Sequence, residues 1–73
     1  MPFELATEFD WSTALIREDL RKDYGEPRFL ALGYIEERLY ALVFTARNNA
    51  LHVISLRKAN KREVMRYEQT AHP

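Results

Sequence analysis

The sequence contains no cysteine and only two histidines among its 73 residues. Without cysteine the chain can form neither a disulfide nor a thiolate metal site, and two histidines alone do not complete a zinc site. A domain of this length is marginal by itself, because it buries only about 60% of its unfolded surface. The sequence therefore predicts one domain with no metal and no cofactor, and it favours a partner subunit, including a homo-oligomer, as the missing support.

Long apolar runs are also missing. No stretch approaches the roughly 20 apolar residues that span a membrane, and MPFELATEFDW lacks the basic start and apolar stretch of a signal peptide. We therefore expect a cytoplasmic protein without membrane contact. Eleven basic residues balance eleven acidic ones, so net charge points to no class of partner. The charges are not evenly spread, however, and a basic cluster lies near the C-terminus, made of Lys58, Lys61, Arg62 and Arg66.

Hydrophobic periodicity predicts a small α+β domain. Apolar residues at helical spacing predict a short helix from Pro2 to Phe9, and STALIR is a candidate edge strand. Three strands follow at 28–34, 38–46 and 51–57, joined by turns at IEE and RNNA. NKRE then predicts a capping box, with Asn60 as the N-cap of a C-terminal helix and Glu63 reaching back to it. The expected architecture is an antiparallel sheet of three to four strands, flanked by a short N-terminal helix and a C-terminal helix.

The strand LHVISLR carries apolar residues on both faces, which is typical of a central or doubly covered strand. Regular alternation places Ser55 and Arg57 on one face, and His52 on the other with Ile54 and Leu56. Histidine is the usual general base near neutral pH, but this alternation separates His52 from Arg57. We therefore expect His52 to be a structural or surface residue.

The junction between the last strand and the last helix admits two interpretations. Helix N-termini attract anions, so Arg57, Lys58 and Arg62 could hold a phosphate there. Alternatively, Arg57 pairs with an acid such as Glu26 or Glu63 and fastens the strand to the helix. The aromatic residues could stack on bases, although in so small a protein they more often form the core. The residues alone lead no further than a small α+β domain with a basic strand–helix junction.

Three stretches together resemble the BrnT family of type II toxin–antitoxin toxins. They are DYGEPRFLALG (23–33), RLYALVFTAR (38–47) and HVISLRKANKREVMRYE (52–68). The resemblance implies a RelE-like fold, RNA cleavage without metal, and neutralisation by a ribbon-helix-helix antitoxin, BrnA. DNA would then be bound only through the antitoxin.

The resemblance also suggests roles for individual residues. In metal-free cleavage the ribose 2′-hydroxyl attacks the adjacent phosphate, and a cation stabilises the developing charge. Arg57 is our choice for that cation, with Arg47 or Arg28 positioning the RNA backbone. The expected catalytic residues are Arg57, Arg47 and Glu63, and the expected RNA contacts are Arg28, Ser55, Lys58 and Arg62. No general base is obvious, and the weak candidates are Glu26, Glu63 and Tyr67.

The resemblance has one departure, at the front of the chain. BrnT-like proteins usually begin with a further strand and helix, so we expect a shortened chain with reduced nuclease activity. The alternatives are a protein-binding module that still captures an antitoxin, and a structural fragment without activity. An apolar cluster at the start, Phe3, Leu5, Phe9 and Trp11, would be left uncovered, and we expect the isolated monomer to be unstable.

Overall fold

The computed structural model describes residues 3–20 and 25–71. Two short 3-10 turns, Phe3–Glu8 and Trp11–Thr13, precede four strands, which are β1 (Leu15–Glu18), β2 (Phe29–Ile35), β3 (Arg38–Arg47) and β4 (Ala50–Lys58). The chain then forms one helix, α1 (Lys61–Ala71). The strands make an antiparallel sheet in the order β1-β2-β3-β4. The predicted α+β class is confirmed, and STALIR does contain an edge strand. The opening helix is a 3-10 turn, and Pro2, its predicted start, lies outside the described residues.

Tight turns connect the last three strands at the positions that the sequence predicts. Glu36 takes a positive φ of 57° in the β2–β3 turn. Asn48 and Asn49, with φ of 53° and 63°, occupy the β3–β4 turn. Two consecutive left-handed residues match the twist of a two-residue hairpin, and asparagine adopts that conformation at low cost. None of the helices in the described ranges is long and apolar enough to span a membrane.

The 3-10 turns cover one face of the sheet. The core on this side contains Phe9, Ala31, Ile35, Leu42, Phe44 and Leu56, all buried, with Leu5 and Ala6 packed against it. Phe9 is only 5% exposed and its ring lies over Gly33. The expectation of an uncovered cluster at the chain's start is therefore wrong for Phe9, because the sheet itself buries it. Trp11 remains 38% exposed, and self-association stays a prediction.

Helix α1 covers the other face, which we call the helix face. Tyr67 and Val64 pack there on Leu32, Leu39 and Ala41, next to the β2–β3 turn. The Tyr67 hydroxyl, almost fully buried, donates to the carbonyl of Thr13 at 2.9 Å. The helix therefore covers only the half of this face near that turn. On the other half, Thr45 is buried and the remaining side chains are exposed or half-buried.

A β-bulge in β4 overturns the predicted alternation of that strand. Val43 pairs with Ser55, but the next residue, Phe44, pairs with Val53, so Ile54 is an extra residue. Beyond the bulge, the side chains of β4 change face relative to simple alternation. His52, opposite Thr45, consequently lies on the same face as Ser55 and Arg57.

The same bulge explains why β4 looked like a central strand. The register puts Leu51, Val53 and Leu56 together on the face covered by the 3-10 turns, and the helix face receives His52, Ser55 and Arg57. The prediction of a central or doubly covered strand is wrong, since β4 lies at the edge of the sheet.

Candidate nucleic-acid interface

The uncovered half of the helix face carries three of the predicted site residues, Arg28, Arg47 and Ser55. Residues that are paired across neighbouring strands form rows on this surface. One row contains Arg17, Leu30, Val43 and Ser55, and the next contains Thr45 and His52. Arg28 immediately precedes β2 and extends this second row, while Arg47 begins a third. We call these residues the open face. It combines an apolar floor, Leu30 and Val43, with basic and polar side chains around it.

A cleft of about 610 Å³ opens where the open face meets the N-terminus of α1. Four arginines line it, together with three acids and three further residues: Arg17, Arg57, Arg62, Arg66, Glu18, Asp19, Glu63, Leu20, Leu30 and Asn60. Arg17, Arg62 and Arg66 make no side-chain hydrogen bond or close ion pair with the described part of the chain. The arginines outnumber the acids in the lining, so the cleft carries a small net positive charge that an anionic ligand could meet.

Arg57 is held in place by Glu63. Its two terminal nitrogens donate to the two carboxylate oxygens at 2.7 and 2.9 Å. The Glu63 side chain is 8% exposed and that of Arg57 is 49% exposed. The Arg57 hydrogen bonds hold the pKa of Glu63 below its ordinary value, and the backbone N–H of Asn60 acts in the same direction. The structure thus contains the predicted alternative contact, and it leaves half of Arg57 accessible in the cleft.

The predicted capping box is present at the start of α1. The backbone N–H of Asn60 donates to Glu63 Oε1 at 2.9 Å, and the backbone N–H of Glu63 donates to Asn60 Oδ1 at 2.8 Å. The Glu63 carboxylate therefore accepts hydrogen bonds from the backbone N–H of Asn60 and from Arg57 at the same time. This double use fixes the position of Arg57 relative to the helix.

Arg47 is held by a carboxylate in a similar way. It lies at the end of the open face next to the β3–β4 turn. Its Nε and Nη2 donate to Glu26, both at 2.7 Å. The pKa of Glu26 is lowered by these hydrogen bonds, and the pKa of Arg47 is raised by the same partner. Thr45 lies beside this pair, buried, and its hydroxyl donates to the carbonyl of Pro27 at 2.6 Å. The segment before β2 is thereby fastened to the end of β3.

The remaining predicted contacts divide into two groups. Ser55 is exposed on the open face, Arg28 is half-buried at its edge, and Arg62 lines the cleft. Lys58 pairs with Tyr40 and lies on the opposite face from Arg57, so the strand register does not bring it to the cleft. Arg17 was not predicted to be a site residue, and Arg66 was named only as part of the basic cluster. Arg17 shares the face of Leu15 by simple alternation, and Arg66 follows Glu63 by three helical positions, so the sequence did contain a signal for each.

The three candidates for a general base are already engaged. Glu26 and Glu63 each accept two hydrogen bonds from an arginine, and their lowered pKa values make them weak bases. Tyr67 is buried and uses its hydroxyl on Thr13. In residues 3–20 and 25–71, no three histidine, cysteine or acidic side chains cluster in a way that would hold a metal ion.

The chain matches a known protein family. A family model described as the ribonuclease toxin BrnT of type II toxin–antitoxin systems matches residues 1–63. The matched range includes the whole sheet and the first turn of α1, and so contains Arg57 and Glu63. No curated protein and no solved structure matches the chain.

Proposed function

The chain belongs to the BrnT family of ribonuclease toxins of type II toxin–antitoxin systems, and from this premise we propose that it cleaves RNA without a metal ion and so inhibits translation. The observation that carries the proposal is the arginine-lined cleft beside the open face. Arginine is always charged and its planar fork fits phosphate oxygens. A sheet face with a half-buried apolar floor next to such a cleft also suits single-stranded RNA, whose bases are free to lie on protein surfaces.

The proposed reaction uses the RNA's own nucleophile. The ribose 2′-hydroxyl loses its proton and attacks the adjacent phosphorus, the bond from phosphorus to the 5′-oxygen breaks, and that oxygen takes up a proton. The products are a 2′,3′-cyclic phosphate and a 5′-hydroxyl. Negative charge grows on the phosphoryl oxygens during this step, and Arg28, Arg47 and Arg57 are the proposed cations that stabilise it or bind neighbouring phosphates. Ser55 and Arg62 supply further RNA contacts.

The Arg57–Glu63 pair has a defined part in this proposal. An arginine side chain loses conformational freedom when it binds a phosphate, and Glu63 has already fixed Arg57 in one orientation. Glu63 therefore acts as a positioning residue. Its lowered pKa keeps it ionised at neutral pH, which suits holding a cation and does not suit accepting a proton.

The test is RNA cleavage by the purified chain in excess EDTA, with analysis of the product ends. Arg57→Ala should reduce cleavage, and Arg38→Ala is the matched control, because Arg38 is an exposed arginine of the same sheet whose register places it on the opposite face. Thermal unfolding of each variant separates lost activity from lost fold. Cleavage abolished by EDTA, or an equal loss in both variants, would contradict the proposal.

The partner we propose is an antitoxin of the ribbon-helix-helix class, with DNA bound only through it. A second candidate function is a protein-binding module that captures such an antitoxin without cleaving RNA. The engagement of Glu26 and Glu63 by arginines favours this second function, because it leaves neither carboxylate suited to act as a base. Tight antitoxin binding together with intact RNA after prolonged incubation would identify the module.

A further inference from the structure

His52 is the titratable residue that the β-bulge brings onto the open face. The register places it opposite Thr45, and its side chain is exposed. Regular alternation along β4 predicts that His52 lies on the face opposite Ser55 and Arg57, and the bulge reverses this. Without the extra residue Ile54, His52 would project to the other side of the sheet, where the 3-10 turns lie.

The charged groups around His52 come from the neighbouring strand and from the segment before β2. Arg47 lies two residues beyond Thr45 on β3, in its ion pair with Glu26. Glu26 is close enough to His52 for a charged imidazole to lower the pKa of the carboxylate, as a minor effect beside that of Arg47. Arg28 lies across β3 from His52. Strands are spaced about 4.8 Å apart, so the Cα atoms of Arg28 and His52 are about 10 Å apart, and their side chains can approach one phosphate from two sides.

Arg57 lies too far along β4 to share that phosphate. The partners of His52 and Arg57 on β3 are Thr45 and Ala41, which are about 14 Å apart at the usual rise per strand residue. The Arg57 guanidinium is also directed to Glu63, at the helix. Arg57 in the cleft and His52 on the open face are therefore placed to contact different parts of an RNA strand.

We infer that His52 is the general base of the proposed cleavage, and that the scissile phosphate lies in the row of Arg28, Thr45 and His52 while Arg57 binds a different phosphate. This inference rests on the proposed function. An imidazole nitrogen accepts the proton of the 2′-hydroxyl as the oxygen–phosphorus bond forms. The 5′-oxygen leaves with the electron pair of the broken bond and takes a proton from water. Arg28, with Arg47 beside it, faces the negative charge that develops on the phosphoryl oxygens.

The first test is the kinetics of His52→Gln in the full chain. A general base contributes about 10²- to 10⁴-fold, so kcat should fall by at least about 100-fold. Binding of an uncleavable 2′-O-methyl RNA of the same sequence should change far less than kcat, because glutamine keeps a polar side chain of similar size at this position. Arg57→Ala should show the reverse pattern, with weaker binding and a smaller loss of kcat. The parent's rate should rise with pH, as catalysis by a general base requires, and His52→Gln should lack that rise.

A second test does not need turnover. The imidazole ring protons of the parent chain are followed by NMR during titration with the 2′-O-methyl RNA, and the spectrum of His52→Gln assigns the signals of the two histidines. A phosphate beside His52 should shift the ring-proton signals of that residue. Unshifted His52 signals in a formed complex would overturn the inference.

The outcomes separate this inference from the proposed function. If the parent cleaves RNA and His52→Gln retains its kcat and its pH profile, the role of His52 is refuted and the nuclease remains. If the parent cleaves no RNA at all, both are refuted together. Loss of binding in His52→Gln with unchanged kcat would also refute the assignment, because it would make His52 a binding residue.

Discussion

Arg57 and Glu63 face each other in two hydrogen bonds of 2.7 and 2.9 Å, which join the end of β4 to the first turn of α1. The carboxylate is nearly buried and the guanidinium is half exposed. The pair therefore closes one wall of the cleft and also holds an arginine toward its interior. A structural role and a phosphate-binding role for Arg57 are compatible, and the two interpretations of the junction need not exclude each other.

Glu63→Ala should destabilise the fold by about 2 kcal/mol. The substitution removes one side of the capping box, and the loss of a cap typically costs about 0.5–2 kcal/mol. It also removes the partner of Arg57, but that guanidinium can turn to water, which limits the additional cost. Urea unfolding measures the difference. Glu68→Ala is the control because Glu68 is exposed on the same helix, and a similar loss in both variants would contradict the role given to Glu63.

The free energy of unfolding should fall in acid. Glu63 and Glu26 have pKa values below the ordinary 4.5, each because of hydrogen bonds from an arginine. The unfolded chain therefore takes up protons at a higher pH than the folded one, so the contribution of these pairs is complete above about pH 5 and declines as the pH falls further. Glu63→Gln should be less stable at neutral pH and should lose less stability between about pH 5 and pH 3.

A matched variant controls this acid effect. Glu37 is exposed in the β2–β3 turn, and its carboxylate makes no hydrogen bond or ion pair with the residues that the structure describes. Glu37→Gln should therefore keep the parent's dependence of unfolding free energy on pH. An unchanged slope in Glu63→Gln would show that other carboxylates govern acid unfolding. Asp10, whose pKa is lowered by hydrogen bonds from Ser12 and Thr13, would be the next one to test.

Local features of the sequence predicted the local structure well. Asn60 and Glu63 form the capping box that NKRE indicates, and Asn48 and Asn49 take the left-handed conformations expected of a turn. Each of these features depends on residues within four positions of one another. Strand patterns also depend on neighbouring residues, and the predicted bounds of the last three strands agree with the observed bounds to within a residue or two.

The cross-strand register could not be predicted in the same way. The bulge at Ile54 depends on how β4 pairs with β3, and nothing in HVIS marks the extra residue. The assignment of His52 to the wrong face followed directly from that. The choice between Glu26 and Glu63 as the partner of Arg57 also required the fold, since both acids are otherwise plausible.

Gly33→Ala should destabilise the fold by about 1–3 kcal/mol, the usual range for overpacking. A methyl group at this position would lie 2.5 Å from Cζ and 2.9 Å from Cε2 of Phe9. That ring has little room to move, because it is 5% exposed and packs against Trp11 with ring centroids 4.7 Å apart. Denaturant unfolding of the variant measures the cost.

A double-mutant cycle identifies the source of that cost. Phe9→Leu removes the ring atoms that the new methyl group would contact, so Gly33→Ala should cost less in the Phe9→Leu background than in the parent. Equal costs in the two backgrounds would place the strain in the backbone of β2 and would contradict the contact with Phe9.

Arg62→Ala should weaken RNA binding and make it less dependent on salt, whereas Arg38→Ala should change neither. Arg62 lines the cleft and is exposed, while Arg38 lies on the opposite face of the sheet. Each phosphate contact on single-stranded nucleic acid contributes about 0.7 to the slope of log K against log salt concentration. Binding of a labelled 2′-O-methyl RNA at several salt concentrations gives the slope for each variant. Both variants remove one arginine and lower the net charge equally, so long-range attraction alone would affect them alike. A slope reduced by about 0.7 in Arg62→Ala alone would place a phosphate in the cleft, and equal slopes would exclude it from there.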